Sequence, residues 1–181
     1  MAIVAADIKF KLSVTSGAAG NSTGGTPAGS VGKYISTTEL SGTALNNLFD
    51  DVSGDENAAS DVEYRCVFVH NSHATLTYTG AVVWLSAETA GGASAALAID
   101  DIAASAIGSA GAQADLIANE DTAPGAGVGS FSAPTSKATG LSLGDIPAGQ
   151  CRAFWVKRTA ANTAALDTDG CTFSVAGDTA A

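Results

Sequence analysis

The sequence predicts an all-β chain, folded as an antiparallel β-sandwich of jelly-roll-like kind with an extended N-terminal arm. Three observations predict it. Apolar residues alternate with period two in several short runs, turn-forming residues separate those runs at regular intervals, and almost no amphipathic helical pattern interrupts them. About seven or eight strands in this arrangement bury their apolar faces most readily as two packed sheets.

The stretch 62–85 anchors the reading. In VEYRCVFVHN, Val62, Tyr64, Cys66 and Phe68 point one way and Glu63, Arg65, Val67 and Val69 the other, so both faces turn apolar toward the middle. Such a strand needs cover on both sides. The following run, TLTYTGAVVWLS, sets Val82 and Trp84 against Val83 and Leu85, with Gly80 as a bulge or kink. A turn at 72–74 between them predicts a hairpin.

Taken in order, the chain starts with DIKFKLSV, where Ile8, Phe10, Leu12 and Val14 alternate with Lys9, Lys11 and Ser13. That is a half-buried strand. Residues 16–32 are small and turn-forming, so they read as a flexible linker, and 1–32 divides off as strand and linker from a single sandwich domain over 33–181. A tethered strand can join its own sheet or add to the sheet of a neighbouring copy. On the second reading, Ile8, Phe10, Leu12 and Val14 form an interface. KYISTTEL is a short strand, and Leu45, Leu48, Phe49 and Val52 have helical spacing before Gly54.

Beyond the central pair, SAALAIDDIAASAIG sets Ala96 and Ala98 against Leu97 and Ile99 as a strand. From 105 to 129 few large residues occur, and AQADLIANEDTAP fits a strand around Leu116 and Ile117 or a short helix equally well. Phe131 stands among small residues. GLSLGDIPAGQ leads through a Pro-Ala-Gly turn into CRAFWVKRT, which places Phe154 and Val156 on one face and Ala153 and Trp155 on the other. Finally CTFSVAG turns Cys171, Phe173 and Val175 inward.

Composition narrows the function. With 18 acidic and 8 basic residues the net charge is -10, a field that repels phosphate backbones and argues against nucleic acid as a partner. No apolar run approaches the roughly 18 residues of a membrane span. The residues ahead of Asp7 carry no basic segment and no long apolar segment, so no secretory signal is expected. Asn21-Ser22-Thr23 therefore matches a glycosylation acceptor by chance. Cys66, Cys151 and Cys171 form no C-x-x-C pair, and buried thiols are the default; one disulfide with a spare thiol stays open.

Candidate chemistry is thin. Asp50, Asp51, Asp55 and Glu56 lack the order of a calcium loop and read as a solvated loop. His70 and His73 flank a turn, and a metal would need further ligands from elsewhere. No nucleophile, P-loop or dinucleotide motif is present, and GAGVGS at 125–130 neither follows a strand nor opens a helix. No enzyme, cofactor or metal is therefore expected. Trp84 and Trp155 stand in runs that look buried, which leaves Tyr34 and Tyr78 as the aromatics for a sugar-binding surface.

The runs NNLFDDVSGDE, EYRCVFVHNSH and LSLGDIPAGQCRAFWVKRT resemble those of virion structural proteins of tailed bacteriophages. The Ala/Gly/Ser/Thr richness and the acidic all-β pattern are similar too. Within that class the chain looks most like a capsid decoration, or cement, protein. The resemblance implies a virion location after assembly in the host cytoplasm, with the major capsid protein, other virion proteins and further copies of the chain as partners. A tail, neck or collar component is the alternative, and a carbohydrate- or receptor-binding sandwich of a tail fibre the competing class.

Overall fold

A computed structural model describes residues 2–17, 23–164, 166 and 168–179. They form an antiparallel β-sandwich. Nine strands follow in chain order: β1 (Ile8–Val14), β2 (Tyr34–Glu39), β3 (Val62–Asn71), β4 (Tyr78–Glu88), β5 (Ser94–Ile99), β6 (Ser105–Ala106), β7 (Leu141–Ile146), β8 (Gln150–Thr159) and β9 (Cys171–Thr179). The larger sheet runs β2-β1-β3-β8-β5, with β6 also on β8, and the smaller runs β7-β4-β9.

The two-sided pattern of β3 and β8 explains the layers. Val67, Val69, Phe154 and Val156 face the smaller sheet, where Val83, Leu85, Leu143 and Ile146 meet them in one buried cluster. Cys66, Phe68, Cys151, Ala153 and Trp155 face the other way, where the described residues form no third sheet. Val31, Ala114 and Ile117, on irregular chain, close that face instead. The larger sheet is thus buried on both sides, as the central run requires.

Several expectations are corrected. β3 and β4 are no hairpin: β3 pairs β1 and β8, while β4 pairs β7 and β9 in the other sheet. The connection 72–77 carries the chain across the sandwich because β4 needs its own Val83 and Leu85 turned toward β3, not beside it. The helical turn expected over 45–52 is irregular, and the helix, α1 (Gly54–Ala59), starts where that turn was expected to stop. Ser53 caps it, accepting from the Glu56 N–H, while the Glu56 carboxylate takes the Ser53 N–H at 2.6 Å. The segment 113–119 is neither strand nor helix; Ile117 is buried and Leu116 exposed.

The extended arm is also absent from the described residues. β1 lies inside the larger sheet, between β2 and β3, with Leu12 buried and Ile8 and Phe10 packed on the core. Of the expected linker, 18–22, together with Asn21 and Ser22 of the acceptor motif, lie outside the described residues. Its remainder is built in. Ser30 accepts from the Ser13 N–H at 2.9 Å and donates to the Cys66 carbonyl at 2.6 Å, while the Gly32 N–H donates to the Ser13 hydroxyl at 2.8 Å.

Candidate functional site

A strand at the rim of a sheet carries unpaired N–H and C=O groups, and a two-sheet sandwich has four such rims. Three of them are managed. Beside β2, the Thr37 N–H donates to the Thr23 carbonyl at 3.0 Å, and the Thr38 hydroxyl donates to the Gly25 carbonyl at 2.9 Å. Along β5, Leu97 and Ser132 exchange both backbone bonds, at 2.7 and 2.9 Å, and the Gly129 N–H donates to Ile99. β7 is short and bulged against β4, with Gly144 at φ 69° and Pro147 just beyond.

The fourth rim, along β9, has no backbone partner among the described residues; the Ile3 N–H reaches only the Thr179 hydroxyl there, at 3.3 Å. β9 is nine residues long and, among the described residues, makes ladder bonds only to β4. It contains no proline, lysine or arginine, and its single charge is Asp178. None of its residues is fully buried, although Cys171, Phe173 and Val175 face the core. Phe173 meets Phe10 and Phe154 edge-on, with ring centroids 5.2 and 5.5 Å away, and stays half-exposed. Among the described residues no strand follows β9, and its inward side chains are covered only in part.

Next to the start of β9 lies a cavity of about 370 Å³, between the 40–52 loop, the start of β5 and the end of β8. Phe10, Leu40, Leu48, Phe49 and Phe173 line it, Leu45 stands 78% exposed in the same lining, and Asp50, Asp51 and Asp169 add carboxylates. Two arginines hold its wall. Arg158 of β8 pairs with Glu63 and, at 3.3 Å, with Asp50, and its guanidinium lies over the Phe49 ring at 4.8 Å. Arg65 is buried against the same ring, pairs with Glu63 and Glu120, and donates from Nε to the Leu48 carbonyl at 3.2 Å. Burial raises the Glu63 carboxyl above its ordinary value, and the Arg158 bond and charge offset part of that rise. The arginines thus pin the loop 48–50 to the sheet. Cys171 also lines the cavity, but burial, helped by Glu88 and Asp169, pushes its thiol up to about 11, so it is no thiolate at neutral pH.

The other residues singled out from sequence take separate places. Asp50 pairs with Arg158, Asp51 lines the cavity and Glu56 caps α1, so these acids do not converge. His73 shapes its turn: its Nδ1 accepts from the N–H groups of Thr75 and Leu76 at 3.2 and 3.0 Å. His70 is buried on the loop-covered face. Its Nδ1 has no partner, and burial, with Lys11 next in weight, lowers its pKa to about 4. Trp155 and Tyr78 are buried, Tyr34 is half-buried beside Lys33, and Trp84, expected to be buried, is half-exposed on the outer face of β4. In GAGVGS, Val128 bridges to Asp100, and the segment serves as cover for the larger sheet. All three cysteines are free thiols.

Asp100 carries a role the sequence did not announce. It is fully buried and accepts from Ile102 N–H at 3.0 Å, Asp115 N–H at 2.9 Å and Trp155 Nε1–H at 3.0 Å. Its carboxylate oxygens come within 4.8 Å of those of Asp101 and Asp115. Burial, then the charges of Asp100 and Asp101, raises the Asp115 carboxyl. With three N–H donors already on Asp100, the group is a junction between loop and sheet. The only sequence signal was an acidic pair directly after an apolar strand.

No family model, curated protein or solved structure matches this chain. The fold defines it as an antiparallel sandwich whose smaller sheet, among the described residues, has no strand beyond β9.

Proposed function

We propose that the chain is a structural virion protein, which binds and stabilises a bacteriophage capsid shell as a decoration protein through surface contacts. The observation that carries this reading is the rim of β9, which has no backbone partner among the described residues. A nine-residue strand without lysine or proline, although its ladder to β4 shifts register twice, offers backbone groups to an extended segment of a neighbouring copy or of the shell. The resemblance of the three runs quoted above to phage structural proteins supplies the class of assembly. The strand-addition role first given to Ile8, Phe10, Leu12 and Val14 moves to β9, since both sides of β1 are already paired.

The apolar cavity beside β9 supports the same reading, because it offers a protruding side chain an anchor next to the strand. Many weak contacts on a symmetric shell then add through effective concentration. Co-sedimentation with isolated capsid shells tests the proposal. Retention with shells, lost when Phe173→Ala opens the cavity wall, is the expected result; recovery in the tail fraction points to a tail or neck component. A protein that stays in the supernatant with both fractions overturns it.

A further inference from the structure

The rim of β9 has a self-complementary sequence. We infer that its occupant is a second copy of this chain, the two β9 strands pairing antiparallel about a two-fold axis at Val175. This rests on the surface-contact reading and names the partner within it.

The register argues for it. Val175 is the middle residue of Cys171–Thr179, so a two-fold axis there engages the whole strand. Each Val175 then faces its counterpart, and Ser174 faces Ala176 of the other copy. Phe173 comes opposite Gly177, where a ring covers the gap that a glycine leaves in a strand. Gly177 has to be glycine, since a Cβ there would meet the Thr79 carbonyl at 2.8 Å and the Tyr78 ring at 3.0 Å. Thr172 faces Asp178, so a hydroxyl donor meets the strand's one carboxylate and the two Asp178 side chains stay at opposite ends. A slip that centred the pairing on Asp178 would set carboxylate against carboxylate and leave most of the strand unpaired.

Charge argues for it as well. At a net -10, two copies repel one another over most of their surface. β9 itself carries one charge, Asp178, so a two-fold contact centred on it sets no carboxylate directly against another within the strand pair. The pairing also covers the half-exposed Phe173 and Val175, and it joins the smaller sheets into one of six strands, β7-β4-β9-β9-β4-β7. A closed two-fold contact leaves no further free β9 rim, so the association stops at two.

Sedimentation over a wide concentration range tests it on three forms of the full chain. Ser174 and Ala176 point outward from the core, so charges placed there leave the interior alone. In the proposed register, S174K/A176K sets lysine opposite lysine at both rungs, whereas S174K/A176E sets lysine opposite glutamate. The wild type should reach twice the monomer mass, S174K/A176K should weaken dimerisation about tenfold or more, and S174K/A176E should recover it. Added salt should tighten the wild-type dimer by screening the net charge. A wild type that stays monomeric, or a dimer that both variants leave equally intact, overturns the inference. A monomer that still binds capsid shells sinks this inference alone; a dimer that ignores every shell sinks only the virion reading.

Discussion

Phe154 and Trp155 are neighbours on β8, both fully buried, and they are buried by different means. Phe154 looks into the space between the sheets, where Val67, Val69, Val83 and Leu143 share its buried cluster and the buried ions Glu63 and Arg65 stand only at one end of β3. Trp155 looks into the loop-covered face, where Ser13, Ser30, Gln113 and Asp100 are buried among the apolar groups. The difference follows from the covering backbone. A sheet satisfies its own N–H and C=O groups, so its side chains are free to be apolar, whereas irregular chain over a core leaves groups that side chains must satisfy. Gln113 illustrates this: its Oε1 accepts from the Ile35 N–H at 3.2 Å and its Nε2 donates to Ser105 and Ala106 at 3.0 and 3.2 Å. Volume holds most of the inter-sheet face, whose buried Arg65–Glu63–Arg158 network is confined to the end beside the cavity, whereas polar groups run through the loop-covered face.

Five substitutions sharpen or break that contrast, and the largest effect at neutral pH is expected between the sheets. Phe154→Ala removes a ring that packs on Phe10 and Phe173 and should cost about 3–5 kcal/mol, read as a lowered urea midpoint with an unchanged slope. Gly32→Ala strikes the loop cover: its φ is +100°, and a Cβ would lie 1.8 Å from the Asp115 carbonyl oxygen. A loss of about 3 kcal/mol is expected by thermal unfolding, against little change for Gly42→Ala, where a Cβ meets nothing within 4 Å.

Asp100→Ala leaves three buried donors without an acceptor and should cost about 2–3 kcal/mol. Hydrogen exchange should then rise over 100–132 and stay unchanged in β4; a uniform rise would mean that the two covers are not independent. Trp155→Phe keeps most of the ring but deletes the bond to Asp100, and about 1 kcal/mol is expected.

A further effect is read by pH and is absent at neutral pH. His70 sits on the loop-covered face among Lys9 and Lys11 of β1 and Glu39 of β2, with Cys151 opposite on β8. Its folded pKa, about 4, lies below the ordinary 6.5, so the unfolded chain binds its proton first as pH falls. The stability from keeping it neutral is complete above pH 6.5 and is lost between there and about 4. His70→Gln should flatten that part of the stability curve, and a curve identical to wild type would place the titration elsewhere.

Much of the fold was legible from particular residues. The alternation through Cys66, Val67, Phe68 and Val69 assigns each side chain to the face it occupies, and β8 repeats the pattern. The cap of α1 was also written in Ser53 and Glu56, three residues apart, but the apolar spacing of Leu45, Leu48 and Phe49 pointed one turn too early. Those three reach the core and the cavity from irregular chain, because Arg65 and Arg158 hold the loop where helix geometry is not needed. The built-in segment 23–32 left no trace in the pattern, since small residues that act through their backbone have no apolar period. The cavity was equally silent: its walls come from segments as far apart as Phe10, Leu48, Ala95 and Phe173.

Period-two alternation is a local property of a strand, and it determined that this chain is a sandwich and which side chains share a face. Which strand lies beside which, and therefore which rim stays open, is decided by hydrogen-bond partners distant in sequence: Thr23 for β2, Ser132 for β5 and, among the described residues, no backbone partner beyond β4 for β9. Side-chain pattern specifies the direction perpendicular to a sheet. The direction within its plane is carried by backbone groups that every residue shares, and only the assembled tertiary structure assigns them.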